Sequence, residues 1–438
     1  MMRQIAIIAD DLTGASDSGV QFARKGFETQ VIFNIDHFST GIKEIEVIVL
    51  DTDSRSVSGK MAYEKAKIAA VQVNQLGFKH VYKKMDSTLR GNLGSEIDAV
   101  ADAIPVDFTV VAPAFPKLGR TTRNGIHYMN NVPIDQTEAA RDPKCPVTES
   151  NLVKLLASQS KRKAGLIPLE TLRSGKEAVL SRVKALLQKQ IEIIVFDTVS
   201  GEDMKQIAAI MAVSEYRILW AGSAGLADYL PEALALLSSS KASNSVISVT
   251  NKPVLLVAGS ISKVTRSQVA AFNLSPQVTA VEFNTVVALT SDEGCSKEIE
   301  RCKMELLTAI AAGSDVSLYA SSSPKHVRLS KAAGAVRGFD STEVSNRIAA
   351  ILGGIASGII REIELQGVIL TGGDTAKAVC KHLSVSGIQL ISEIEPGIPL
   401  GKLVGSTPLW VVTKAGAFGN ENSLVHAKVA LKGGQSNE

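Results

Sequence analysis

The sequence predicts an α/β protein of two domains, each a mostly parallel sheet flanked by helices, with the ligand site in the cleft between them. Three observations carry this reading. The chain has 438 residues, more than one core ordinarily organises. Short, wholly apolar runs alternate with helix-period segments in both halves, as in parallel sheets covered on both faces. A polar, Ser-rich stretch, Ser238–Asn251 (S-S-S-K-A-S-N-S-V-I-S-V-T-N), interrupts the alternation just before Pro253. The expected division is a first domain over 1–237, a linker over 238–252 and a second domain over 253–438.

The elements follow in order. Ile5–Ala9 is an apolar strand, and a helical pattern runs from about Ser16 to Lys25. Thr29–Phe33 and Val47–Asp51 are strands, Met61–Leu76 is a helix closed by Gly77, and Val81–Lys83 and Thr109–Ala112 are further strands. Leu152–Ser158 and Lys176–Lys189 read as helices, Ile191–Asp197 as a buried strand, Met204–Val213 as helix, Arg217–Ala221 as strand and Leu226–Leu237 as helix. After the linker, Val254–Ala258, Ala280–Phe283, Asp315–Ala320, Gly367–Thr371 and Leu409–Thr413 are strands. Thr265–Phe272, Thr342–Leu365 and Asp374–His382 are the clearest helices among them.

Composition narrows the function. Net charge is only +3 and aromatics make up 5%, so the basic stripe and stacking rings of a nucleic-acid binder are missing. The densest basic cluster, Ser160–Lys163, reads as a solvated helix end. Cys145, Cys295, Cys302 and Cys380 are scattered with no metal spacing and read as reduced thiols. The first ten residues lack a signal-peptide pattern, and the apolar stretch Ile348–Ile360 is too short and too Gly-broken to span a bilayer. These features place the expected protein in the cytoplasm, away from membrane and nucleic acid. No P-loop, G-x-G-x-x-G, H-E-x-x-H or G-x-S-x-G motif occurs, and the six histidines are dispersed, His127 and His326 reading as packing or surface residues.

In open α/β sheets ligands sit at the carboxyl ends of the strands, so the residues following each strand matter most. The first strand ends in Ala9-Asp10-Asp11-Leu12-Thr13-Gly14, more carboxylate than a helix cap needs. Leu50-Asp51-Thr52-Asp53-Ser54-Arg55 follows another strand; Arg55 either pairs with Asp51 or Asp53 or grips a substrate carboxylate. The richest segment is Lys83-Lys84-Met85-Asp86-Ser87-Thr88-Leu89-Arg90-Gly91-Asn92, and Pro113–Arg120 supplies a rigid wall. Strand ends in the second half carry glycine and hydroxyls instead: Gly259-Ser260-Ile261-Ser262, Thr371-Gly372-Gly373-Asp374-Thr375, and Lys414-Ala415-Gly416-Ala417. Close-approaching backbone of this kind binds phosphate.

Taken together, A-D-D-L-T-G, K-K-M-D-S-T-L-R-G-N, A-P-A-F-P-K-L-G-R, G-S-A-G-L-A at 222–227 and T-G-G-D-T-A resemble, in order and over nearly the whole chain, the four-carbon acid sugar kinase family. The resemblance implies an N-terminal substrate domain, a C-terminal nucleotide domain and ATP-dependent phosphorylation of a tetronate, with D-threonate favoured and D-erythronate or a 3-oxo-tetronate as alternatives. It implies substrate contacts at Asp10, Asp11, Arg55, Lys84, Met85, Asp86, Ser87 and Arg90, and ATP contacts at Ser260, Thr371, Gly372, Gly373, Asp374, Thr375 and Gly416. The chain departs from the family pattern at Ala415 and Ala417, where relatives carry Ser and Gly, and at Asn131, where glycine is expected. Phosphoryl transfer needs a base, which Asp86, Asp11 or Asp10 can supply, and Mg²⁺ accompanying ATP, which Asp374 can approach. The metal ligands and any homo-oligomerisation stay open. A non-catalytic small-acid sensor is the reading from a different class; an NAD-linked dehydrogenase is disfavoured by the missing glycine fingerprint.

Overall fold

In the computed structural model, the described residues are 3–33, 45–142, 144–238, 247–248, 250–405 and 408–434. The chain forms two compact units, Met1–Ser243 and Asn244–Glu438. Most of the expected linker, 239–246 and 249, lies outside the described residues.

The first unit carries β1 (Ile5–Ala9), β2 (Thr29–Ile32), β3 (Val47–Asp51), β4 (His80–Lys84), β5 (Phe108–Ala112), β6 (Arg120–Arg123), β7 (Ile126–Met129), β8 (Val132–Pro133), β9 (Lys163–Ile167), β10 (Ile191–Phe196) and β11 (Ile218–Gly222). Eight of these build one wholly parallel sheet in the order β2-β3-β1-β4-β11-β5-β10-β9. Every residue of β1, β3 and β5 is buried, because helices cover the sheet on both faces. The second unit carries β12 (Val254–Ala258), β13 (Val278–Phe283), β14 (Asp315–Ala320), β15 (Gly367–Thr371), β16 (Gly387–Glu395), β17 (Ile398–Val404) and β18 (Trp410–Lys414). Its order is β13-β14-β12-β15-β18-β17-β16, parallel as far as β18 and antiparallel beyond it.

Four differences from the sequence expectation have local causes. A small antiparallel sheet, β6-β7-β8, turns on Asn124-Gly125 and then on Asn130-Asn131. All four turn residues have positive φ (52°, 73°, 51° and 63°), as two-residue hairpins require. Asparagine tolerates that conformation, so Asn131 serves where the family pattern expects glycine. The ribbon β16–β17 reverses on Pro396-Gly397, with Gly397 at φ 82°. The expected helix Leu226–Leu237 is two short ones, Ala224–Ala227 and Leu230–Ala233, because Pro231 has no N–H to continue the first. The basic cluster after the helix Leu152–Gln159 is not merely solvated: Arg162 donates to Asp98 at 2.9 Å and to Asp102 at 2.6 Å.

The apolar stretch around Ile348–Ile360 belongs to a longer helix, Ser341–Glu362, capped by Asp340. By length and composition alone that helix can cross a membrane; half of its most apolar window is buried within the unit. It packs on the helix Gly373–Leu383, and a Cβ at Gly353 would stand 2.8 Å from Ala378.

Candidate active site

The strand order fixes where ligands go. From β1 the chain passes to β2 and β3 on one side and to β4 on the other, which opens a crevice over the carboxyl end of β1. Asp10 and Asp11 follow β1 directly, Arg55 follows β3, and Lys84 ends β4. The structure brings these four together. Arg55 lies between the two aspartates: Nε and Nη2 donate to Asp10 at 2.6 and 3.0 Å, and Nη1 and Nη2 to Asp11 at 2.7 and 2.6 Å. The alternative pairing of Arg55 with Asp51 or Asp53 is not what forms; Asp51 instead accepts from the Asp53 amide. Asp11 also caps the helix Leu12–Ala23, accepting from the Gly14 amide at 2.9 Å.

Lys84 is buried, and its ammonium donates to the Met85 carbonyl at 2.7 Å, its one hydrogen bond among the described residues. Gly14 admits this approach: a Cβ there would stand 2.6 Å from Asp11 Oδ1 and 2.9 Å from Lys84 Nζ. The Asp86 carboxylate accepts from Thr88 Oγ1 and Arg90 Nε, each at 2.6 Å, and Arg90 reaches on to Asp142 at 3.1 Å. Burial raises the Asp86 pKa, but Arg90, Arg55 and Lys84 outweigh it and hold the carboxyl well below its usual range. Asp10 is lowered in the same way, burial being outweighed by Arg55 and then Lys83 and Lys84. Arg55 is correspondingly raised: burial opposes its charge, and Asp10, Asp11 and Asp86 prevail.

The Met85 side chain packs in the hydrophobic core, its amide donates to the Gly222 carbonyl at 2.6 Å, and its carbonyl is the one that accepts from Lys84. Ser87 is held from behind by its own carbonyl, which accepts from His127 Nε2 at 2.9 Å. His127 is therefore the support of this loop; it is fully buried, and burial lowers its pKa to about 4. Sequence reading placed Lys83 in the richest segment but missed its partner Glu96, with which it forms a buried ion pair at 2.8 Å beneath the site. Glu96 accepts from Ser54 Oγ at 2.6 Å and so ties the Arg55 loop to the same base. A cavity of about 180 Å³ borders the loop, lined by Arg55, Gly91, Asn92, Lys144, Cys145 and Gln159 among others; Asp10, Asp11, Lys84 and Asp86 do not line it.

The second unit repeats the topology. β12 has β14 on one side and β15 on the other, with the chain leaving toward β13 and returning to β15, so its crevice opens between Ser260 and the Thr371–Thr375 turn. Here atoms almost touch. A Cβ at Gly416 would lie 2.4 Å from Ser260 Oγ, and one at Gly259 would lie 2.3 Å from Thr375 Oγ1. Gly372 opens the turn at φ 96°, and Gly373 starts the helix Gly373–Leu383. Thr265 Oγ1 donates to the Gly416 carbonyl at 2.8 Å and lies 3.5 Å from Thr371 Oγ1. Asp374 stands exposed in the first helical turn, and no cluster of three metal-ligating side chains occurs among the described residues. All seven expected nucleotide residues thus gather at adjacent strand ends, with amides and hydroxyls of the kind that receive phosphate beside the single carboxylate of Asp374.

One unit thus gathers paired charges at its crevice and the other gathers glycine and hydroxyls, the two kinds of surface that a small-molecule kinase combines. Matches to family models agree: a sugar-binding N-terminal domain over residues 5–230 and a nucleotide-binding C-terminal domain over 255–424. The chain is 33% identical to a D-erythronate kinase of Heliobacterium modesticaldum, covering 96% of this chain and 95% of that one. It is 32% identical to a D-threonate kinase of Salmonella typhimurium (97% of each) and 30% identical to a 3-oxo-tetronate kinase of Pseudomonas fluorescens (99% and 98%). A crystal structure of a Haemophilus influenzae protein shares the fold at a TM-score of 0.70 and 24% identity, covering 97% of this chain and all of that one. The chain belongs to the four-carbon acid sugar kinase family.

Proposed function

We propose that this protein is an ATP-dependent kinase of a four-carbon sugar acid, converting D-threonate to 4-phospho-D-threonate. The observation that carries the reading is the Lys84 ammonium, buried at the crevice of the sugar-binding unit with donors to spare beside Arg55. A carboxylate is the group that uses them. D-threonate kinase is the name borne by several relatives, and D-erythronate and 3-oxo-tetronate kinases by others. A sensor without catalysis finds no support among them, since each is a kinase by name.

In this reading Lys84, Arg55 and Arg90 orient the acid, and the Ser87 hydroxyl contacts it. Asp11 takes the proton of the attacking hydroxyl, because its carboxylate is the most exposed of the three candidates at 18%, against 1% for Asp10 and 8% for Asp86. The Ser260, Thr371–Thr375 and Gly416 backbone receives the phosphates of ATP. Mg²⁺ neutralises phosphate charge when bound, and Asp374, exposed beside the Gly372 turn, fits an ion that keeps most of its waters. The protein is proposed to work in the cytoplasm, where ATP is supplied.

An ADP-release assay over D-threonate, D-erythronate, their L isomers and 3-oxo-tetronates tests the proposal, with NMR of the product locating the phosphate. D-threonate is expected to give the highest kcat/KM. ADP formation with none of these acids overturns the kinase reading, and a higher kcat/KM for another acid overturns the substrate.

A further inference from the structure

Lys414 closes β18 and is completely buried, yet no carboxylate pairs with it among the described residues. An isolated ammonium in a protein interior is costly unless hydrogen bonds offset it. Its partners are all backbone: Nζ donates to the carbonyls of Ala415 at 2.7 Å, Gly416 at 3.2 Å and Phe418 at 3.1 Å. Two other buried side chains do the same work. Thr265 Oγ1 donates to the Gly416 carbonyl at 2.8 Å, and Gln268 Nε2 donates to the carbonyls of Phe418 at 3.0 Å and Asn420 at 2.7 Å. Four carbonyls of one short loop are therefore turned inward. Peptide geometry then turns the intervening N–H groups the other way, and the amides of Gly416 and Ala417 donate to no protein acceptor among the described residues. An arc of outward amides is an anion-binding concavity. It stands against Ser260, whose Oγ is the atom a Cβ at Gly416 would strike.

We propose that Lys414 is a positioning residue for ATP: it draws the carbonyls of the 415–418 loop inward so that the loop's amides meet the terminal phosphates, and its ammonium is their buried counter-charge. The proposal rests on the reading that this loop receives ATP. It also accounts for the departure at Ala415 and Ala417. A loop shaped by donors from beneath, acting through backbone, does not require a serine hydroxyl or a second glycine on its outer side. Burial lowers the Lys414 pKa to about 7, with Glu395 opposing, and a bound polyphosphate restores full charge. Glu395 is itself engaged by the Ser423 hydroxyl and the His426 ring, each at 2.5 Å, and is no ion-pair partner of Lys414.

The test is Lys414→Met in the full chain, which keeps the bulk and removes the donors and the charge. Calorimetry with ATP, ADP and AMP, and the KM of each substrate, are the readouts. ATP affinity is expected to fall about tenfold to a hundredfold, the worth of one or two charge-assisted contacts. ADP should lose less and AMP little, while the sugar-acid KM stays within about twofold. Equal losses for ATP and AMP mean a general structural defect and overturn the proposal, as does unchanged ATP affinity. If Lys414→Met does not fold, Gln268→Leu removes two inward donors and keeps the ammonium; unchanged ATP affinity in that variant overturns the loop-shaping role. A parent protein that binds the acid but no ATP sinks the underlying reading instead.

Discussion

Asp11 and Asp86 are both strand-end carboxylates, and their surroundings give them different work. Asp86 is buried, accepts from Thr88 and Arg90 and is held ionised far below its usual range, so it is a poor proton acceptor and a good anchor. Asp11 keeps more exposure at the mouth of the crevice and doubles as a helix cap, a task that asparagine performs about as well. Asp11→Asn keeps the cap but weakens the pair with Arg55, so it is expected to lower stability by about 1–3 kcal/mol and kcat by about 10²–10⁴-fold in the folded protein. Asp86→Asn is expected to lower stability by about 1–3 kcal/mol and raise the sugar-acid KM, with a smaller effect on kcat. Measuring kcat, both KM values and Tm on the two variants separates these roles. A well-folded Asp86→Asn protein that has lost turnover while keeping its KM returns the base to Asp86, one of the three candidates the sequence left open.

At the scale of elements, the loop 86–91 owes its shape to β7, an element whose two hairpin turns were in plain sight. Asn124-Gly125 is the strongest short-range hairpin signal a sequence offers, and Pro396-Gly397 marks the other ribbon. The first was passed over because its strands are short, and the second because polar residues and glycine interrupt its apolar ones, where unbroken apolar runs were the guide. The buried parallel strands and the glycine-rich turns were legible, since each is written locally. The partners of Arg55, the Lys83–Glu96 pair and the support from His127 were not, because each joins residues distant in sequence or depends on which strand neighbours which. His127 also makes a pH prediction. Its folded pKa of about 4 lies below the ordinary value of 6.5, so the ring is neutral in the fold. Above pH 6.5 it has no effect; as pH falls from 6.5 toward 4 the unfolded chain gains a proton that the folded chain refuses. Stability should fall by on the order of 3 kcal/mol across that window from this group. Thermal melts at about pH 7.5 and about pH 5 should show a smaller drop for His127→Gln than for the parent protein, and an equal drop removes His127 as the cause.

At the scale of the whole molecule, recognition of the two substrates is divided between two units. Arg55→Lys, which gives up the forked pairing with Asp10 and Asp11 that shapes the crevice, is expected to raise the sugar-acid KM at least about tenfold and leave the ATP KM within about twofold. Asp374→Asn should do the reverse, and in the double variant the losses in free energy should add. A strong departure from additivity, measured by the full cycle of four proteins, means that the two sites do not recognise their substrates independently. The crowding at Ser260, Gly416, Gly259 and Thr375 has one more consequence, which concerns descent. A side chain added at Gly259 or Gly416 meets a neighbour at 2.3–2.4 Å, so neither glycine is replaced without moving the residue beside it. The crevice of the first unit is lined instead by side chains that share partners, Arg55 between Asp10 and Asp11 and Arg90 between Asp86 and Asp142, and a substitution there shifts a pairing without striking a neighbour. A lineage built this way can explore new acids while its phosphate donor stays fixed, as a tool keeps its handle while its blade is exchanged.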